Sequence, residues 1–157
     1  MNKRSSSVER VKEALGELGI PVDLQELPNS TRTAREAAEA VQCSVGQIVK
    51  SLVFQTSDNQ PLLILTSGSN QVDENFVSNN LGLKIQFAKA DFVRQVTGFA
   101  IGGVSPFGLK KNIPIYLDKD LLQYQLIWAA AGSPSAVFSI SPQDLVETTQ
   151  GEVIPVR

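Results

Sequence analysis

The sequence predicts a mixed α/β fold in one domain, with several adjacent strands forming a mixed or antiparallel sheet. Three observations carry this expectation. The chain of 157 residues suits one domain and can bury roughly 70% of its unfolded surface without a metal or disulfide. Segments with apolar residues at helical spacing carry their own start and stop signals. Between them lie runs of β-branched and aromatic residues bounded by turn residues.

The first helix is expected in SSVERVKEALGELGI, where Val8, Val11, Leu15 and Leu18 share one face. Ser6 with Glu9 fits a capping box, and Gly19 and Pro21 supply the stop. VDLQELP alternates and reads as an edge strand closed by Pro28. A second helix opens at TAREAAEAV, where Thr33 and Glu36 form another capping box, and SVGQ gives one further helical turn. IVKSLVFQ and PLLILTS read as two strands joined by a turn at Asp58-Asn59. A helix in QVDENFVSNNLG ends at Gly82, a short strand follows in LKIQFA, and the helix DFVRQV stops at Gly98. After a glycine-rich stretch come three short strands, IPIYLD, LIWAAAG and SAVFSIS. Ser141 caps a last helix with Pro142 in its first turn. There are no repeats and no linker.

Composition excludes several chemistries. The chain has no histidine and one cysteine, Cys43, which removes His-based triads, Cys-His dyads, His-containing zinc sites and internal disulfides. No metal site and no cofactor is expected. Catalysis is left to Lys, Ser/Thr, Asp/Glu, backbone amides or the substrate itself. The N-terminus has no apolar signal core and no run is long enough to cross a bilayer, so a cytoplasmic location without membrane contact is expected. The net charge of −2 predicts local and brief nucleic-acid contact rather than coating.

Two stretches and one lysine could carry chemistry. Lys50 sits inside IVKSLVF and shares a strand face with Ile48, Leu52 and Phe54, while Ser51 points the other way and reads as structural. Lys50 either snorkels from a sheet edge or holds an ammonium in an apolar cleft for a phosphate or carbonyl oxygen. TGFAIGGVSPFG, residues 97–108, spends four glycines and one proline on twelve positions in an apolar setting. Gly98, Gly102, Gly103 and Gly108 either shape a turn or let backbone amides converge on one oxygen, with Pro106 stiffening the loop. In WAAAGSPSAVF, Ala129 to Ala131 beside Gly132 and Ser133 either leave room for a ligand or let two layers pack closely. Ser67, Gly68 and Ser69 follow a strand end, where binding loops often lie. Asp118 and Asp120 read as caps of the turn into DLL, and Asp73, Glu74, Lys110 and Lys111 as solvated charge. Cys43 reads as a small apolar packer.

Taken together, TAREAAEAVQCSVGQIVKSLVF, TGFAIGGVSPFG and IWAAAGSPSAVF resemble the YbaK/ProX family, the free-standing relatives of the editing domain inserted in bacterial prolyl-tRNA synthetases. The resemblance runs from about Ser7 to Leu145. It implies a compact α/β (α+β) domain with a curved mixed, largely antiparallel sheet and flanking helices. It also implies hydrolysis, in trans, of the ester joining a wrong, small amino acid to tRNA. On this resemblance the strand lysine is Lys50, and the Gly-x-x-x-Pro loop spans Gly102, Gly103, Val104, Ser105 and Pro106. The pocket-side turn falls on Ala130, Ala131 and Gly132; Ser133 beside it, and Ser67 and Gly68 from their place at a strand end, complete the expected substrate-binding set. Loop amides would polarise the ester carbonyl, and Lys50 would grip the terminal phosphate or adenosine. The partners implied are the 3′ acceptor end of a mischarged tRNA and an aminoacyl-tRNA synthetase. Leu109 stands where some relatives carry a histidine, so no step assigned to that histidine transfers. The alternative is a non-catalytic module that binds aminoacyl-tRNA or a nucleotide and regulates a synthetase.

Overall fold

Local sequence signals set most elements of the computed structural model, which describes residues 3–21, 23–28, 31 and 33–157, with side chains of the first helix from Ser7 onward. Helix α1 (Lys3–Glu17) turns Val11 and Leu15 fully into the core. It starts earlier than the predicted Ser6–Glu9 box, so position 6 lies within the helix; the Ser6 side chain is outside the described residues. Strand β1 (Leu24–Glu26) is followed by α2 (Ala34–Val41), whose Thr33 Oγ1 accepts the Glu36 N–H at 3.1 Å. A 3-10 turn (Val45–Gln47) is opened by Ser44, whose N–H donates to the Gln47 side-chain oxygen at 3.0 Å. Strands β2 (Val49–Thr56) and β3 (Pro61–Ser67) lead to α3 (Glu74–Leu81), capped by Asp73, whose carboxylate accepts the Phe76 N–H at 3.0 Å.

Strand β4 (Ile85–Phe87), α4 (Ala90–Thr97) and the glycine-rich loop precede β5 (Ile115–Asp118). A 3-10 segment (Lys119–Gln123) joins β5 to the hairpin β6 (Ile127–Ser133) and β7 (Ala136–Ile140). Helix α5 (Pro142–Thr149) begins as expected, with Ser141 Oγ accepting the Asp144 N–H at 3.1 Å. A final strand, β8 (Glu152–Ile154), was not anticipated; its three residues are too few to show a period.

The strands form two sheets. One has the order β4-β2-β3-β5-β8; its β4/β2 and β2/β3 pairs are antiparallel and its β3/β5 and β5/β8 pairs parallel. The other, β1-β7-β6, is antiparallel throughout. A parallel bridge between Ile48 and Trp128 joins them, so the expected mixed, largely antiparallel sheet is divided at that point. The chain is an α+β domain with helices against both sheets.

The largest core cluster joins α1, α4, both sheets and the glycine-rich loop: Val11, Val49, Leu65, Val96, Phe99 and Phe138 are among its members. A second, around Phe54, Ile64 and Val77, fills the opposite face of the large sheet under α3. A third, around Ala37, Ile48 and Trp128, lies beneath α2. Among the described residues no helix is long and apolar enough to cross a membrane.

Candidate active site

The alternation of β2 decides what its residues can do. Gly68 donates to the Ile48 carbonyl at 2.7 Å and Thr56 to Gln60 at 2.9 Å, so even-numbered residues turn their backbone groups toward β3. The backbone groups of Val49, Ser51 and Val53 therefore point to the other edge. Strand β4 covers that edge only opposite Phe54–Thr56, and Ala88 N–H takes the Val53 carbonyl at 3.1 Å. Between Ala88 and the Ile48–Trp128 bridge the edge is open, and there lies a cleft of about 810 Å³. The 101–104 loop, α2, Phe87, Trp128, Ala130 and Pro134 form its other walls.

Lys50 is opposite Thr66 and shares its face with Leu52 and Phe54, on the α3 side of the sheet. It lines the cleft half-buried, and Nζ donates to the Asn70 backbone carbonyl. Burial pushes the Lys50 ammonium below its ordinary pKa; the nearby Asp118 carboxylate acts in the opposite direction. Asp118 is 1% exposed and is a hub rather than only a cap. Its carboxylate accepts from Ser67 N at 3.0 Å, Asn70 Nδ2 at 2.8 Å and Asp120 N at 2.9 Å. Asn70 Nδ2 also reaches Asp120 Oδ2 at 2.8 Å. A buried amide–carboxylate network thus fixes the loop whose carbonyl holds Lys50.

Ser51 is on the other face, opposite Leu65, and also lines the cleft because the cleft wraps around the strand edge. Its hydroxyl is buried and has no hydrogen-bond partner.

The glycine-rich loop is part of the core. Phe99, Val104 and Phe107 are each at most 5% exposed, which is why the stretch is apolar. Arg10 of α1 holds both of its ends: Nη2 donates to the Gly98 carbonyl at 3.0 Å and Nε to the Gly108 carbonyl at 3.3 Å. The same guanidinium lies 4.5 Å over the Phe99 ring. Gly102 has φ +90° and lines the cleft with Val104. Gly103 N–H closes a turn to Ala100 O at 2.9 Å, so that amide is already occupied. A side chain at Gly103 would lie 3.0 Å from Ser133 Cα, so the loop rests directly on the β6–β7 hairpin. Ser105 is fully buried, and its Oγ accepts the Phe107 N–H at 3.2 Å. Pro106 is buried on the far side of the loop, facing a second groove with Lys110 and Lys111.

Of the predicted hairpin residues Ala130, Ala131, Gly132 and Ser133, Ala130 alone lines the cleft, beside Trp128, Pro134 and Val137. Ala131 is fully buried in the core. Gly132, at φ +95°, has the backbone of α1 against it: a Cβ there would lie 2.6 Å from the Ser7 carbonyl oxygen. Ser133 is buried, with its Oγ 3.1 Å from that of Ser135. Ser67 Oγ donates to the Gly46 carbonyl at 2.7 Å, and Gly68 bonds Ile48, so both tie β3 to the 3-10 turn behind the cleft. Lys50, Gly102, Val104 and Ala130 therefore meet in one cleft. Gly103, Ser105, Pro106, Ala131, Gly132, Ser133, Ser67 and Gly68 form the shell supporting it. Sequence reasoning missed Arg10, Asn70 and the exposed Phe87; it placed Ser51 on the correct face, opposite that of Lys50, but read it as structural, whereas it lines the cleft. Only alternation near an uncovered strand edge could have pointed to Ser51. Among the described residues no group of three His, Cys, Asp or Glu side chains could hold a metal ion.

Residues 28–148 match the family model of the aminoacyl-tRNA editing domain. YwhH of Bacillus subtilis (strain 168), named as an uncharacterized protein, is 33% identical over 131 residues, 83% of each chain. EbsC of Enterococcus faecalis (strain ATCC 700802 / V583), named as a candidate Cys-tRNA(Pro)/Cys-tRNA(Cys) deacylase, is 27% identical over 121 residues, 76% of this chain and 74% of its own. A crystal structure described as a candidate trans-editing enzyme for prolyl tRNA synthetase superposes with a TM-score of 0.91 at 45% identity, covering 96% of each chain.

Proposed function

The chain belongs to the aminoacyl-tRNA editing domain family, and from that premise we propose that it hydrolyses, in trans, the ester of a tRNA mischarged with a small amino acid. The observation that carries the reading is the meeting of Lys50, Gly102, Val104 and Ala130 in one cleft without a His, and with Ser105 buried away from it. Such a site suits a substrate that is already activated. An aminoacyl ester needs orientation and stabilisation of the developing oxyanion more than it needs a protein nucleophile.

In this reading the amides of Gly102 and Val104 polarise the ester carbonyl; Gly103 is left out because its N–H serves Ala100. Water adds to the carbonyl carbon, aided by the neighbouring ribose hydroxyl. The acyl C–O bond then breaks, and the departing ribose oxygen takes the proton. Lys50 spends one of its three N–H donors on Asn70 and offers the others to the terminal phosphate. It binds and aligns rather than acting as a base. Ala130 gives the acyl pocket a small wall residue, which favours alanine, serine, threonine, cysteine or a similar side chain. The partners are the acceptor end of tRNA and, through it, a synthetase.

Deacylation of tRNAs charged with alanine, serine, threonine, cysteine, 2-aminobutyrate and proline tests the proposal, with Lys50→Ala and Gly102→Ala beside the wild type. Selective hydrolysis of one or two small residues, reduced in both variants, supports it. Binding of the same tRNAs without hydrolysis would replace it with a non-catalytic recognition module.

A further inference from the structure

The open edge of β2 has a second use. Along it, in order, stand the Val49 carbonyl, the Ser51 N–H and carbonyl, and the Val53 N–H, all turned away from β3. A carbonyl and the N–H two residues further on emerge side by side on a strand edge. That acceptor–donor pair matches the N6 amino group and N1 of adenine. The walls on either side of this edge are apolar. Phe87, on the α3 face, is 50% exposed and stacks on the buried Phe54 ring with centroids 4.4 Å apart. Ile101, 58% exposed, lines the cleft from the loop whose Val104 packs in the core cluster with Val49 and Val53, the cluster on the other face. Large apolar side chains left this exposed at the rim of a cleft call for a flat apolar occupant.

We propose that the free edge of β2, between Phe87 and Ile101, is the subsite for the adenine of the acylated terminal nucleotide. The base takes the place of a missing strand: Ser51 O and Val53 N bond its N6–N1 edge, and Phe87 and Ile101 cover its two faces. This rests on the reading that the cleft takes an aminoacyl-tRNA end, and it adds where the base goes. It also explains the division of the site. The base lies along the strand edge, Lys50 meets the phosphate from one face, and the ester reaches the 102–104 loop and Ala130 on the other.

The test exchanges atoms of the base rather than of the backbone. Acylated tRNAs ending in adenosine, purine riboside (no N6 amino group) or 1-deazaadenosine (no N1) are compared for kcat/KM, with Phe87→Ala and Phe87→Trp beside the wild type. Each base change, and Phe87→Ala, is expected to lower kcat/KM about tenfold or more, and Phe87→Trp to restore it. Equal rates for the three ends, with Phe87→Ala at the wild-type rate, would overturn the subsite and leave the deacylase reading standing. If no tRNA is hydrolysed, the deacylase reading fails, and binding decides the subsite. Trp128 is the sole tryptophan and lines the cleft, so its fluorescence reports occupancy. A saturable change with adenosine monophosphate, weaker with cytidine monophosphate and lost in Phe87→Ala, supports the subsite. Cytidine presents the same edge pair on a smaller ring, so equal binding of both nucleotides, or binding of neither, overturns it.

Discussion

Asn70 donates its side-chain amide to Asp118 at 2.8 Å while its own backbone carbonyl accepts from Lys50. The buried carboxylate therefore reaches the cleft lysine through one residue, in contact and in charge. Asp118 favours the protonated ammonium and burial disfavours it, and burial is the larger effect. The sign follows directly. The folded state binds the Lys50 proton less tightly than the unfolded chain does, so this group's contribution to stability rises with pH toward the ordinary lysine pKa of about 10.4. Activity that needs the ammonium behaves oppositely and declines on an alkaline limb below that value. Asp118→Asn removes the favourable charge and should move the limb to lower pH; in Lys50→Gln it should vanish. A kcat/KM profile from pH 6 to 10 reads this, and an unmoved limb in Asp118→Asn would sink the assignment.

Arg10 holds both ends of the 98–108 loop from a helix none of whose described side chains lines the cleft. Arg10→Ala loses two bonds from a charged donor and the stacking on Phe99, a destabilisation of about 2–3 kcal/mol at this partly buried site. Arg10→Lys cannot span both carbonyls and should recover less than half. Urea unfolding measures the first effect. A fall in kcat beyond that explained by unfolded protein would measure loosening of the loop.

Gly102 and Gly132 both have positive φ, with different surroundings. A Cβ at Gly102 meets nothing nearer than Pro134 Cγ at 3.6 Å, whereas at Gly132 it strikes the Ser7 carbonyl oxygen at 2.6 Å. Gly102→Ala should cost only about 1–2 kcal/mol in backbone strain yet lose most deacylation. Gly132→Ala should cost more than about 3 kcal/mol, because helix α1 must shift. Thermal melts beside single-turnover rates separate the two; equal melting temperatures would contradict the packing argument.

Ser51 carries a buried hydroxyl with no partner. Ser51→Ala removes an uncompensated polar group and should leave stability unchanged or raise it by about 1 kcal/mol. A loss of more than that in urea titration would mean that the hydroxyl has a partner in solution.

Much of the fold was legible because its signals are local. Thr33 with Glu36, Asp73 before α3, and Ser141 with Pro142 each satisfy helix N–H groups within one turn, so the chain announces these starts wherever the helix ends up. Runs of β-branched, aromatic and other apolar residues bounded by turns did the same for β2, β3 and the β6–β7 hairpin. The site was legible only in part. Lys50 and the glycine-rich loop stand out as residue types in the wrong setting. Asn70, Asp118 and Arg10 look ordinary until their partners, 48 to 98 residues away, are brought beside them.

The sequence by itself determined where most helices and strands begin and that no histidine or thiol cluster does the chemistry, because capping, apolar patterning and composition act over a few residues or none. Tertiary structure decided which loop glycines meet the cleft and which merely admit α1 or the hairpin. It also decided that Asp118 is a buried hub, and that one edge of β2 stays open. Those outcomes depend on how far β4 reaches along β2 and where β6 bridges it, and register between distant strands is set by the packing of their side chains, not by any residue's own preference.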